Sequence, residues 1–292
     1  MSISKRHHFI PKFFIKGFTG SDGKLAVFNK TKNQLESKRK SPKQIFYEWN
    51  RNTFEVNGEE TDYVESLYQF SEDQFAPIHK KIISNNYKIQ TEEFFPIIHF
   101  LGICHYRVPS QDERAENRIK KSTNDELFFK ILKKGSNEEA SKDLYERIRD
   151  DASFIESSKM MLAVSDFIKA DLPSNFSDWK IYEAATNVRL HIIGDNPVIL
   201  NTEKDPNLYK NELVFPLSNG KTLYHVNGKS IKEITPEHRV CADILMFIQS
   251  EKYVCGPDKN YLGTIALISK KYNTPNGIKS LKEKVFEIFR EN

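Results

Sequence analysis

The chain has 292 residues, 38% of them hydrophobic, with 21 Phe and 12 Tyr, and its 44 basic against 40 acidic side chains leave a formal charge of +4. That aromatic content supports a real core and excludes a disordered chain, while the mild cationic surplus lacks the lopsided charge of a dedicated nucleic-acid binder. Three cysteines, Cys104, Cys241 and Cys255, form no CxxC pair, which argues against a disulfide scaffold or structural zinc and for a reducing cytosol.

In chain order, the first distinctive stretch is Lys5 to Phe18, with two adjacent histidines, a proline, four phenylalanines and four basic residues. Pro11, Lys12 and Lys16 break its apolar character, so it does not read as a signal peptide. Thr19 to Gly23 is a turn and Lys24 to Asn29 a short strand; Asn33 to Lys43 is a basic, solvated loop, and Asn57-Gly58 marks a polar one. Helices follow. Thr61 is expected to cap a helix with Val64, Leu67, Tyr68, Phe75, Ile78 and Ile82 on one face. Thr91 caps the next, which is apolar nearly all round from Phe94 to Ile103 and ends near Val108-Pro109. Ser136 to Glu139 has the pattern of a capping box opening a helix to about Arg149, and Phe154 to Ala170 is another, stopped by Pro173.

The character then turns to strands. Trp179 to Ala185 and Val188 to Ile193 are expected to pair, and Val198 to Leu200 resumes after Asp195-Asn196-Pro197. Leu213 to Phe215 and Thr222 to Val226 form a hairpin around Ser218-Asn219-Gly220. Thr235-Pro236 opens a helix through about Gln249; Leu262 to Ser269 reads as a strand; Thr274-Pro275 opens a terminal helix with Ile278, Leu281, Val285, Ile288 and Phe289 on one face. The fold class is α+β, a helical bundle packed against a small, mainly antiparallel sheet. Nothing reads as a linker or a repeat, so residues 1–292 are expected to form one unit, helical over about 61–172 and β-rich over about 1–60 and 175–270. The most apolar run, Phe94 to Tyr106, falls short of a membrane span, which predicts a soluble cytoplasmic protein with no membrane partner.

His8-Phe9-Ile10-Pro11-Lys12-Phe13-Phe14-Ile15-Lys16-Gly17-Phe18 resembles the opening signature of the DUF4238 family, His-aromatic-x-Pro-x-aromatic-aromatic-aliphatic-x-x-Phe. Ile193-Gly194-Asp195-Asn196-Pro197-Val198 resembles that family's Ser-Asp-x-Pro-Val segment, with Gly194 in place of Ser. The resemblance spans nearly the whole chain and marks positions to watch; it supplies no reaction.

Of the two adjacent histidines only one can face a given site, because neighbours on a strand point to opposite sides. The family position favours His8, whose imidazole suits a general base, a proton donor or a metal ligand; the plain alternative is a histidine bonded to a backbone carbonyl. Asp195 breaks a strand into a turn, where a carboxylate serves either chemistry or an Asx-turn. Arg107, at the exit of a buried helix, needs an acceptor, and a structural ion pair with a carboxylate such as Glu65 competes with a bound phosphate. His99 and His105 sit on an apolar helix and read as core residues, and His191 reads as half-buried. His-His-x-x-Pro also resembles the first element of HNH-type nucleases, without the Gly-Gly after the proline or the downstream Asn-to-His pair. Ser218 has no Gly-x-Ser-x-Gly context, and Walker A, GxGxxG and HExxH motifs are all missing.

These residues point to a hydrolase acting on a phosphorylated small molecule or a nucleic acid. His8 is the expected base or ligand of a divalent metal and Asp195 its carboxylate partner, with Lys12, Arg107 and Asn196 binding substrate. The alternative is a non-catalytic binding or regulatory protein in which His8, Pro11 and Asp195 lock the N-terminal segment onto the sheet. The sequence leaves the oligomeric state open.

Overall fold

The computed structural model describes residues 5–56, 58–84, 89–122, 132–133, 135–170, 176–184, 188–201 and 205–290. The chain opens with β1 (Arg6–His8) and a single helical turn, α1 (Lys12–Ile15), which Pro11 starts by accepting the Phe14 and Ile15 amides on its carbonyl at 3.0 and 3.1 Å. Strands β2 (Ala26–Asn29), β3 (Gln34–Leu35) and β4 (Tyr47–Trp49) follow, then the hairpin β5 (Phe54–Val56) and β6 (Glu59–Thr61). The helical part comprises α2 (Tyr63–Ile83), α3 (Phe94–Arg107), α4 (Asp112–Lys121), α5 (Lys142–Ile148) and α6 (Ala152–Lys169). After it come β7 (Trp179–Glu183), β8 (Ile193–Gly194), β9 (Ile199–Leu200), β10 (Leu213–Pro216), β11 (Lys221–His225) and β12 (Ser230–Ile231). The chain closes with α7 (Pro236–Gln249), β13 (Tyr253–Gly256), α8 (Lys259–Tyr272), α9 (Pro275–Phe286) and β14 (Phe289–Arg290).

The architecture is α+β, and its described strand pairs are antiparallel. Two four-stranded sheets carry it, in the orders β7-β11-β10-β9 and β3-β2-β13-β8. Helix α3 packs against both α2 and α6, as its nearly continuous apolar surface requires, and α7 packs against α8 and α9. The aromatic opening segment joins these parts. Phe14, fully buried, stacks on Phe215 of β10 at 5.4 Å and meets Phe100 of α3 at 5.2 Å and Phe75 of α2 at 6.2 Å. Among the described residues no helix is long and apolar enough to cross a membrane.

Several local expectations are corrected, each by a hydrogen bond that composition hides. Leu262 to Ser269 is helical, within α8. Asp258 caps it by accepting the Tyr261 amide at 2.7 Å, and its buried positions, Leu262, Ile265, Ala266 and Ser269, recur at helical spacing. Ser136 to Glu139 starts no helix: the Ser136 hydroxyl accepts the Glu138 amide at 3.2 Å within a turn, and α5 begins only after Ser141. Val188 to Ile192 is no strand, because its amides go to a turn (Leu190 to the Val188 carbonyl), to the Asn219 carbonyl and to the Asp243 carboxylate. Consequently β7 pairs with β11 and β8 with β13, and not with each other. Thr61 lies one residue ahead of the α2 N-cap, Asp62, and Ile288 and Phe289 lie past the end of α9. Helix α4 carries little periodic signal because it is almost wholly polar, with Ala115 and Ile119 its buried contacts. Pro173, Ala185 and Asn57 fall outside the described residues, although Gly58 takes the positive φ of +82° that a tight turn between β5 and β6 needs.

Candidate functional site

Strand β1 turns its two histidines to opposite sides. His7 is buried, and its Nδ1 accepts the Asn52 amide at 2.9 Å, leaving Nε2 as the protonated nitrogen. His8 is half-buried against Tyr47, ring centroids 5.6 Å apart, while the Arg6 guanidinium lies 3.6 Å over the same Tyr47 ring. Burial first, then the charges of Lys12 and Arg6 and more weakly Arg107, lower the His8 pKa to about 4 against the opposing effect of a bond to the Lys43 backbone. The structure thus brings Lys12 and Arg107 into the electrostatic neighbourhood of His8. Arg107 is itself engaged at both terminal nitrogens: buried under Tyr68 at 4.2 Å, it pairs with Glu72 at 2.6 Å and Glu65 at 3.4 Å, while its Nε is buried without a partner among the described residues.

Asp195 is not brought into hydrogen-bond contact with His8 among the described residues. Its buried carboxylate accepts three consecutive backbone amides, Glu251 at 2.8 Å, Lys252 at 2.6 Å and Tyr253 at 2.8 Å, and so holds the turn between α7 and β13. The link between the two motifs is indirect. Lys252 reaches Glu48 of β4 at 2.7 Å, and Glu48 stands opposite His7 across the β1–β4 ladder. Asn196 is half-buried, its carbonyl accepting the Gln249 side-chain amide. Gly194 has a physical reason: a Cβ there would lie 1.7 Å from the Ser250 hydroxyl, which donates to the Met246 carbonyl at 2.6 Å. No group of three or more His, Cys, Asp or Glu side chains suited to a metal ion is assembled among the described residues.

A different constellation sits on a cavity of about 440 Å³. Three elements build it. The loop before β8 presents His191, anchored by its amide to the Asn219 carbonyl at 3.0 Å, and the Asn219 amide in turn donates to Gly17 of the opening segment at 2.9 Å. Helix α7, started by Thr235 and Pro236, presents Arg239 and, one turn later, Asp243. Helix α8 presents Tyr261, which its Asp258 cap fixes at the first turn.

These side chains converge on Asp243. His191 Nδ1 lies 3.1 Å from one carboxylate oxygen and 3.2 Å from the other, Tyr261 donates its hydroxyl at 2.6 Å, and the Ile192 amide adds a longer bond at 3.4 Å. Burial and the Asp243 charge hold the Tyr261 phenol well above its usual range, so it stays a donor. With Nδ1–H on the carboxylate, Nε2 of His191 is the basic nitrogen. It is buried without a hydrogen-bond partner, as are Thr222 Oγ1 of β11 and Arg239 Nη2, and all three side chains line the cavity. Much of the remaining wall is apolar, from Val188, Leu190, Ile234 and Val240. Three unpartnered polar atoms on one cavity are a departure from the usual satisfaction of buried groups.

Of this group the sequence drew attention only to His191. Asp243 had a signal, a lone carboxylate inside the apolar run from Cys241 to Phe247. Tyr261 had none, because the β-branched residues that follow it favour a strand and hide its place in the first turn of α8.

The model of the family described as "Protein of unknown function (DUF4238)" matches residues 6–266. No curated protein and no solved structure matches the chain.

Proposed function

This chain belongs to the DUF4238 family, and because that description carries no reaction we propose one from the site: hydrolysis of a small molecule in the His191 cavity. The observation that carries the proposal is the Asp243–His191 pair beside the cavity, its carboxylate fixed by Tyr261 and its Nε2 buried without a protein partner. A carboxylate on Nδ1 selects the tautomer whose Nε2 is a base, the arrangement that general-base activation of water requires. Water would attack the electrophilic centre while Nε2 takes its proton. The imidazolium, stabilised by Asp243, then delivers that proton to the departing oxygen as the bond to it breaks. A cavity of about 440 Å³ falls in the range of small-ligand sites.

In this proposal the N-terminal motif and Asp195 are framework. The opening segment supports the site through Gly17, Asn219 and His191, and Asp195 keeps the α7–β13 turn closed. The test is a panel of chromogenic carboxylic and phosphoric esters offered to wild type, His191→Gln and Asp243→Asn. Turnover that falls by about 10²-fold or more in both variants, with folding retained, is expected. Turnover unaffected by His191→Gln would overturn the assignment, and tight binding without turnover of any ester would favour a binding protein.

A further inference from the structure

Resting on that site, but concerning what it accepts, the geometry points to Arg239 as the specificity residue for a small molecule that joins an apolar body to an oxyanion. The argument begins with charge. Arg239 lines the cavity, and its Nη2 is buried without a partner. Arg239 as a whole is half-buried, and a guanidinium carries donors only, so its buried, unpartnered Nη2 is satisfied by an acceptor that arrives from outside the protein.

No nearby carboxylate gives Nη2 a hydrogen bond, although the Asp243 charge acts on the guanidinium. Asp243 stands behind the imidazole, with Oδ2 held by Tyr261 and both oxygens shared with His191. Glu183, also on the cavity wall, is neutralised by Arg189 and by Lys221, the latter at 3.5 Å. Glu233 is exposed to solvent. The aliphatic wall then fixes the other half of the ligand: burying an alkyl or aryl body against Leu190, Ile234 and Val240 supplies affinity, while the guanidinium fork reads a planar carboxylate or a phosphate. Arg239 lies one helical turn from Asp243 on α7, so the anion it binds would be delivered beside His191, the base.

Isothermal titration of the full chain with phenyl phosphate, benzoate and neutral benzyl alcohol tests this. Either oxyanion is expected to bind one per chain and at least about tenfold more tightly than the alcohol, as a charge-assisted pair requires. Tighter phenyl phosphate assigns the oxyanion as phosphate and tighter benzoate as carboxylate. Arg239→Gln should reduce both to the level of the alcohol and Arg239→Lys should restore part of the difference. Val240→Trp, which fills the cavity, should abolish binding of all three. Equal binding of oxyanion and alcohol, or oxyanion binding that survives Arg239→Gln, would overturn the inference. His191→Gln keeps the two readings separable: it should leave oxyanion binding intact while removing turnover, so failure of hydrolysis and failure of oxyanion selection are scored independently.

Discussion

Gly194 and Asp195 are adjacent and do opposite things. Gly194 makes room: the Ser250 hydroxyl occupies the space its side chain would take. Gly194→Ser should therefore cost about 1–3 kcal/mol in urea unfolding, and Ser250→Gly should offset much of that loss, a coupling that a double-mutant cycle reads directly. Absence of coupling would refute the exchange of one serine for the other. Asp195 makes bonds: with three charge-assisted amides on its carboxylate, Asp195→Ala should lower stability by about 3 kcal/mol and leave binding in the cavity unchanged. The sequence singled out Asp195 and could not say for what, because a carboxylate serving a turn and one serving a substrate look alike until its donors are seen. His8 raises the same difficulty, since the cations around it come from β1, α1 and α3.

At the scale of elements, the opening segment works as a joint. Phe14 touches α2, α3 and β10 at once, so Phe14→Ala removes contacts from both the helical and the sheet parts. An unfolding free energy lower by about 3–5 kcal/mol is expected from chemical denaturation, with the fold retained. A loss below about 1 kcal/mol would mean that the two parts are joined elsewhere. The elements legible in the sequence were those with an explicit start signal and a clean period: α7 begins at Pro236 as Thr235-Pro236 requires, and the β10–β11 hairpin closes around Ser218 to Gly220 as its turn residues require. Those misread were decided by single bonds. The Asp258 cap commits α8 to helix although Thr264, Ile265 and Ile268 favour a strand, and the Asp243 carboxylate helps hold the 188–192 loop out of a ladder. The candidate site was less legible than the fold because it joins a loop and two helices distant in sequence.

At the scale of the whole molecule, buried histidines set the response to acid. Burial lowers the His79 pKa to about 4, partly opposed by its bond to the Leu217 carbonyl, and lowers that of His105 to about 3, helped by Arg114 and Arg118. Unfolded histidine titrates near 6.5, so between those values the unfolded chain binds more protons than the folded one. Stability is then fully present above about pH 6.5 and is lost as pH falls toward 4, by about 2 kcal/mol per such histidine between pH 7 and pH 5. Urea midpoints at the two pH values measure this, and His79→Gln, which can still donate to Leu217, should remove one histidine's share of the difference. An unchanged difference would contradict a neutral buried His79.

The central claim is that Asp243 holds His191 with its basic nitrogen left without a protein partner beside the cavity, and the imidazole tautomer tests it most directly. Long-range ¹H–¹⁵N spectra of the histidine rings at neutral pH, assigned with His191→Gln, report which nitrogen of His191 carries the proton. A protonated Nδ1 with a bare Nε2, giving way to a mixture in Asp243→Asn, is the expected result. A proton on Nε2 in the wild type would contradict the account.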